Sequence, residues 1–139
     1  GIKFISDKNP FGLNLKDPNG KDDILVDSGD LHLQIDKPVK FLLRSIDVLH
    51  NFYVPQFRGK MDMVPGHVTY YWLIPIRIGD FEVLCAEFCG VGHYAMRGRV
   101  IVDEEANYKK WLAQQITFEK MLAQNRIDNK SLKIVKNIE

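Results

Sequence analysis

The alternation of apolar and polar residues is clearest from Asp30 onward. Leu31, Leu33 and Ile35 interleave with His32, Gln34 and Asp36, the period of two that a strand shows when one of its faces is buried. A second apolar run covers Val39 to Ile46, bounded by Pro38 and by a loop that carries His50. The third extends from His67 to Ile74, with Val68, Tyr70, Trp72 and Ile74 on one side. Asp80 to Leu84 is the fourth and ends against Cys85, and Arg99 to Val102 makes the fifth. Short strands separated by turn signals predict an antiparallel β-sandwich or barrel. After Asp103, a residue suited to capping, Glu104 and Glu105 open a helix whose Tyr108, Trp111 and Leu112 share one face. A second helix is predicted from Thr117, with Phe118, Met121 and Leu122 in the same spacing.

The flanks differ from this core. Residues 1–29 are rich in Asn, Asp, Pro and Gly, with turn chemistry at Asn9-Pro10-Phe11-Gly12 and Asp17-Pro18-Asn19-Gly20. The last dozen residues are mostly polar. The chain therefore divides into an irregular surface segment at 1–29, a strand-built domain at 30–103 and a helical extension at 104–139. At 139 residues with 45% hydrophobic content, one domain with a single core is expected. A net charge of +1 gives no basic footprint for nucleic acid. No run of 18 apolar residues is present to span a membrane, and no signal-peptide pattern is visible.

Candidate chemistry concentrates in Cys85-Ala86-Glu87-Phe88-Cys89-Gly90-Val91-Gly92-His93-Tyr94-Ala95-Met96, which holds both cysteines of the protein. A glycine follows the second cysteine, so a loop can turn both thiolates toward one point, with His93 and Met96 closing from the far side. Thiolate, imidazole and thioether form a soft ligand set, which favours copper over magnesium, calcium or manganese. Structural zinc sites seldom use a thioether, so zinc would leave Met96 unexplained. A disulfide is the plainest alternative for two cysteines in a small domain, but it gives no role to the neighbouring ligand types. A blue-copper centre takes one Cys, two His and a weak Met, leaving one cysteine over; two bridging thiolates would hold two coppers.

The spacing Cys-x-Glu-x-Cys-x-x-x-His-x-x-Met resembles the binuclear CuA loop of subunit II of haem-copper oxidases, and every position of that pattern is met. Upstream, Asp47-Val48-Leu49-His50, Val54-Pro55 and Lys60-Met61-Asp62-Met63-Val64-Pro65-Gly66 are similar to the family's Asp-Val-x-His and Lys-x-Asp-x-x-Pro-Gly signatures, in the same order. The resemblance implies an all-β, cupredoxin-like Greek-key barrel with its metal held between loops at one end. It implies two copper ions in a mixed-valence centre. One would take His50, Met96 and both thiolates, and the other His93, the backbone carbonyl of Glu87 and both thiolates. The Glu87 carboxylate and Asp62 are then expected near a magnesium ion at a subunit boundary, because oxygen ligands suit that hard ion. Phe88 and Tyr94 would shield the metals from water. His32 and His67 are read as surface histidines, Met61 and Met63 as packing beside the site, and Met121 as part of a helix face.

The function so implied is electron entry into an oxidoreductase: electrons from a c-type cytochrome pass to haem in catalytic subunit I. The domain itself makes and breaks no substrate bonds. The resemblance also implies a transmembrane anchor ahead of this domain and a place on the outer, periplasmic face of a bacterial cytoplasmic membrane, in preference to a mitochondrial intermembrane-space face. Many relatives carry a tryptophan where this chain has Phe52 and Tyr53, and a tryptophan-rich strand that this sequence does not contain. Seven acids against four lysines in residues 1–36 are either a solvated loop or part of a docking face for a basic donor. Arg97 and Arg99 are either surface charges or groups facing the haem-bearing subunit. The rival functions are the CuA subunit of a haem-copper nitric oxide reductase and, from a different class, a copper carrier or assembly protein.

Overall fold

The computed structural model describes residues 14, 17–26 and 30–124; the turn at Asn9–Gly12 and the tail from 125 lie outside them. The strands, in chain order, are β1 (Ile24–Leu25), β2 (Asp30–Gln34), β3 (Val39–Leu43), β4 (His50–Val54), β5 (Gly59–Met63), β6 (Thr69–Leu73), β7 (Gly79–Leu84), β8 (Arg97–Asp103) and β9 (Ile116–Thr117), with one described helix element, α1 (Glu105–Ala113), before β9. Residues 118–124 are also helical.

The chain forms two compact units. In the larger one, spanning 28–113, a five-stranded sheet has the order β2-β8-β7-β4-β5, and β3 and β6 form a separate two-stranded ribbon. Only the β2–β8 pair is parallel among these. Leu33, Val54, Val100 and Val102 are buried between the layers, with Phe41, Phe52, Leu73, Phe81 and Val83 packed against them. Each such aliphatic side chain contributes about 1.5–3 kcal/mol by leaving water. The ribbon reaches this core through alternate residues: the ring of Phe41 lies 5.3 Å from Phe52 and 6.2 Å from Tyr71. Its other face, with Leu42, Tyr70 and Trp72, is exposed. The architecture is the all-β, cupredoxin-like sandwich expected from the resemblance.

Two strands escape the hydrophobic pattern. β4 was expected to be a loop around His50, yet His50 and Asn51 are both buried within it, and polar residues on an inward face carry no apolar signal. β5 does alternate, Lys60 and Asp62 outward against Met61 and Met63, although that alternation reads in sequence as local packing alone. Asp103, expected to cap α1, lies in β8 and bonds His32 at 2.5 Å. Glu104 precedes the helix instead, its carbonyl accepting from Tyr108 N–H at 2.9 Å. His32 is correspondingly not a free surface histidine, since its ring also stacks on Trp111 at 4.5 Å. The helix keeps its expected inward face: Tyr108, Trp111 and Leu112 are half-buried.

In the smaller unit, β1 pairs antiparallel with β9, matching Ile24 to Thr117. Phe118 N–H bonds the Asp23 carbonyl at 2.8 Å. The segment before residue 30 is thus not wholly irregular. Asp17 caps a 3-10 turn at Pro18–Gly20 by accepting from Asn19 N–H at 3.0 Å. Thr117 Oγ1 accepts from Lys120 N–H at 3.4 Å and so caps the second helix where the sequence predicts it.

Gly59 makes room for an aromatic. A Cβ built there would lie 1.9 Å from Tyr71 Oη and 2.4 Å from its ring, while Tyr71 is itself held by Phe41. Gly59→Ala is therefore expected to destabilise the domain by about 1–3 kcal/mol, as overpacking does. Adding Tyr71→Leu should recover much of the loss. A double-mutant cycle in urea measures it; additive effects would refute the contact.

Candidate metal centre

The three adjacent strands β8, β7 and β4 bring the predicted chemistry to one end of the sheet. His50 opens β4, Cys85 directly follows β7, and Met96 directly precedes β8. Because Leu84 pairs with Arg97, and Tyr53 with Leu84, the ends of the 85–96 loop are clamped between hydrogen-bonded neighbours. Inside the loop the backbone turns at Gly90, whose φ of 129° is one that side chains resist. A 3-10 turn at His93–Ala95 follows, closed by Met96 N–H on the His93 carbonyl at 3.2 Å. It sends the His93 and Met96 side chains back toward the cysteines.

All six predicted donors come together. The two Sγ atoms are 3.7 Å apart and the cysteines are free. His50 Nδ1 is 3.9 Å from Cys85 Sγ, and the Glu87 carbonyl oxygen is 3.3 Å from the same sulfur. On the other side, His93 Nδ1 lies 3.5 Å and Met96 Sδ 3.2 Å from Cys89 Sγ. Among the described His, Cys, Asp and Glu residues, His50, Cys85 and Cys89 form a group that could hold a metal ion, their donor atoms lying within 4.8 Å of one another. The sulfur separation suits two thiolates that share a metal at about 2.3 Å from each, and the soft donor set fits copper.

The surroundings set the charge of these groups. Asp47 Oδ1 sits 2.8 Å from His50 Nε2, which fixes the ring with Nδ1 turned to Cys85. Backbone hydrogen bonding at Val48, then the His50 imidazole and Ser45, hold the Asp47 carboxyl down at about 2. The Cys85 sulfur and then Asp47 raise His50. For Cys85, burial pushes the thiol up, but backbone hydrogen bonds at Glu87 and Asn51, with His50 and Cys89, outweigh it and bring the group down to about 6. Cys89 moves the opposite way, raised by burial and by the neighbouring Cys85. In the metal-free protein, iodoacetamide should therefore alkylate Cys85 at a rate already near its plateau at pH 7 and falling below about pH 6, while Cys89 reacts only in more alkaline solution. Peptide mapping across pH checks this; equal profiles for the two cysteines would contradict it.

Two residues at the site had no assigned role in the sequence reading. One is Asp47, whose three-residue offset from His50 was the available signal. The other is Asn51, 2% exposed, which donates from Nδ2 to Asp62 Oδ1 at 2.5 Å and has an Oδ1 without a partner among the described residues. Asp62, expected near a magnesium ion, thus already binds Asn51. Phe88 and Tyr94 do not cover the donors: they are 82% and 80% exposed, and Phe88 meets His93 only edge-on at 5.9 Å. Arg97 pairs with Glu82 at 2.7 Å, and Arg99 makes two bonds to Asp30 at 3.0 and 2.6 Å. Asp30 is accordingly not a free member of an acidic docking patch. Met63 lies beside Cys85 and Met96, as expected, and His67 is exposed.

The comparisons with known proteins agree with this geometry. Residues 14–104 match the family model described as "Cytochrome C oxidase subunit II, periplasmic domain". The alternative cytochrome c oxidase subunit 2 of Bradyrhizobium diazoefficiens is 60% identical over 126 residues, covering 91% of this chain and 46% of that protein. Cytochrome c oxidase subunit 2 of Thermostichus vulcanus is 42% identical over 87 residues, covering 63% of this chain and 26% of that one. This chain thus spans less than half the length of these curated relatives. Among solved structures, the periplasmic domain of subunit II of cytochrome oxidase from Bradyrhizobium japonicum superposes with a TM-score of 0.58 at 27% identity, covering 60% of this chain and 61% of that one. With its donor-bearing loop clamped between β7 and β8 and a family match over most of its length, the chain belongs to the family of cytochrome c oxidase subunit II periplasmic domains.

Proposed function

We propose that this chain is the CuA electron-transfer domain of a haem-copper oxidase subunit II, taking electrons from a c-type cytochrome and passing them to haem in catalytic subunit I on the periplasmic side of a membrane. The observation that carries this reading is the meeting of six donors, from His50, Cys85, Glu87, Cys89, His93 and Met96, at distances of 3.2–3.9 Å from one sulfur or the other. When bound, a mixed-valence copper pair supplies reversible one-electron chemistry. Cys85 and Cys89 would hold both ions between them, with His50 and Met96 on one and His93 and the Glu87 carbonyl on the other.

The residues around the donors are suited to that work. His50 is 8% exposed and tied to Asp47, so it has little freedom to reorient between redox states. A carrier that hands copper on needs ligands able to exchange, and a histidine buried in a strand and braced by a carboxylate is poorly placed for it. Loading the metal-free chain with copper tests the reading. Two coppers per chain with one unpaired spin shared over both are expected; a single type-2 or blue centre refutes it.

The carboxylate of Glu87 is free of the proposed copper role, which uses its backbone. In the assembled enzyme it would serve, with Asp62, a magnesium ion against the catalytic subunit. Glu87→Gln is then expected to leave the copper count and spectrum of this chain intact and to weaken manganese binding in the assembled complex. Electron spin resonance reads both arms; lost copper or unaltered manganese would count against the assignment.

A further inference from the structure

At the end of the sheet away from the cysteines, β4 runs into the 3-10 turn at Pro55–Phe57 and β7 begins at Gly79. Together with the chain leaving β6 they border a half-open pocket of about 630 Å³, within the size range of small-molecule sites. Its walls are mainly apolar: Phe57 and Phe81 meet at 4.9 Å between ring centroids, and Tyr71 and Leu73 line it beside them, with Gln56 as a neutral polar group. Tyr71 reaches this position only because Gly59 has no side chain. Two cations, Arg58 and Arg77, are among the lining residues, and no carboxylate is among the described ones. Both arginines are exposed, and neither forms an ion pair among the described residues.

Arg58 carries a second indication. It ends the turn in the left-handed conformation, φ 53°, with its N–H on the Pro55 carbonyl at 3.0 Å. Such a backbone is strained for a non-glycine residue, and glycine would take it without strain. An arginine held there by the structure brings a cation to the edge of a mainly apolar pocket, and Arg77 lines the same pocket. A mainly apolar pocket lined by two guanidinium groups, neither ion-paired among the described residues, complements a ligand with an apolar body and a single acidic head.

We propose that this cavity binds an amphipathic carboxylate of the fatty-acid class. The aliphatic chain lies against Phe57, Tyr71, Leu73 and Phe81, and the carboxylate meets the guanidinium forks of Arg58 and Arg77, a planar pairing that favours carboxylates. The site is at the opposite end of β4 and β7 from the donor cluster and is independent of the proposed electron-transfer role.

The test titrates the copper-loaded chain with sodium dodecanoate below its micelle concentration, followed by calorimetry and nitrogen-15 NMR. Saturable one-to-one binding is expected, with shifts centred on residues 56–58, 71, 73–77 and 81. Dodecan-1-ol and acetate should each bind about tenfold more weakly or worse, because each lacks one half of the recognition. The Arg58→Gln/Arg77→Gln double variant should bring dodecanoate down to the level of dodecan-1-ol. Ile74→Glu, at an exposed lining position, should weaken it as strongly by repelling the head group. Both variants should keep the parent's melting temperature and visible spectrum. The proposal is overturned if dodecan-1-ol binds as well as dodecanoate, if the variants bind normally, or if the shifts fall instead on the exposed Leu42, Tyr70 and Trp72 face. Tenfold tighter binding of dodecyl phosphate than of dodecanoate would overturn the carboxylate assignment.

Discussion

Cys85→Ser and Cys89→Ser should each abolish binding of a copper pair. The two sulfurs stand 3.7 Å apart at the middle of the cluster, and every other donor approaches one of them: His50 and the Glu87 carbonyl reach Cys85, and His93 and Met96 reach Cys89. A serine hydroxyl is a hard donor that stays protonated at neutral pH and cannot replace a soft thiolate between two ions. The Cys85→Ser variant also removes the more acidic of the two thiols. Copper per chain should fall from two to one or none, and the shared-spin resonance should be lost. A variant that retained two coppers with a delocalised spin would show that the thiolates do not bridge.

Asp47→Asn should lower copper affinity while leaving the fold intact. Its carboxylate lies 2.8 Å from His50 Nε2 and is the group that orients the ring. Partners of this kind, one bond beyond a metal ligand, are commonly worth about 10–100-fold in affinity. Asp47 is 63% exposed, so solvent screens it and the lower end, about tenfold, is expected. Asparagine keeps the size and can still hydrogen-bond, so a complete loss of metal would point to a structural role instead. Competition against a copper(I) chelator, alongside a thermal melt, separates the two. Unchanged affinity would mean that burial within β4 alone holds His50.

Much of the donor cluster was legible along the chain. Five of its six side chains or carbonyls fall within twelve consecutive residues, Cys85 to Met96, so local spacing alone brings them near one another, and the soft donor types name the metal class. The remaining donor, His50, lies 35 residues before Cys85, and its place beside the cysteines came from a family signature rather than from local physics. The strand signal failed where inward positions are polar. β4 begins with buried His50 and Asn51, and a hydropathy pattern cannot tell a buried polar residue from a loop.

What the sequence by itself determined was therefore local: the alternating stretches of β2 and β6, the apolar runs of β3, β7 and β8, the inward face of α1, the start of the second helix at Thr117, and the convergence of thiolates, imidazole and thioether within one loop. These depend on neighbours a few residues apart, whose geometry the backbone repeat dictates. The tertiary structure alone decided the sheet order β2-β8-β7-β4-β5 with its one parallel pair. It also decided that Asp103 bonds His32 instead of capping a helix, and that Asp30 serves Arg99. The aromatic stripe of β6 faces outward, and Asp47 braces His50. The physical reason is that hydrogen bonds and packing between distant segments depend on which strands become neighbours, and many pairings satisfy the same local pattern. The choice among them is made by the total burial of the closed sandwich, a property of the whole chain.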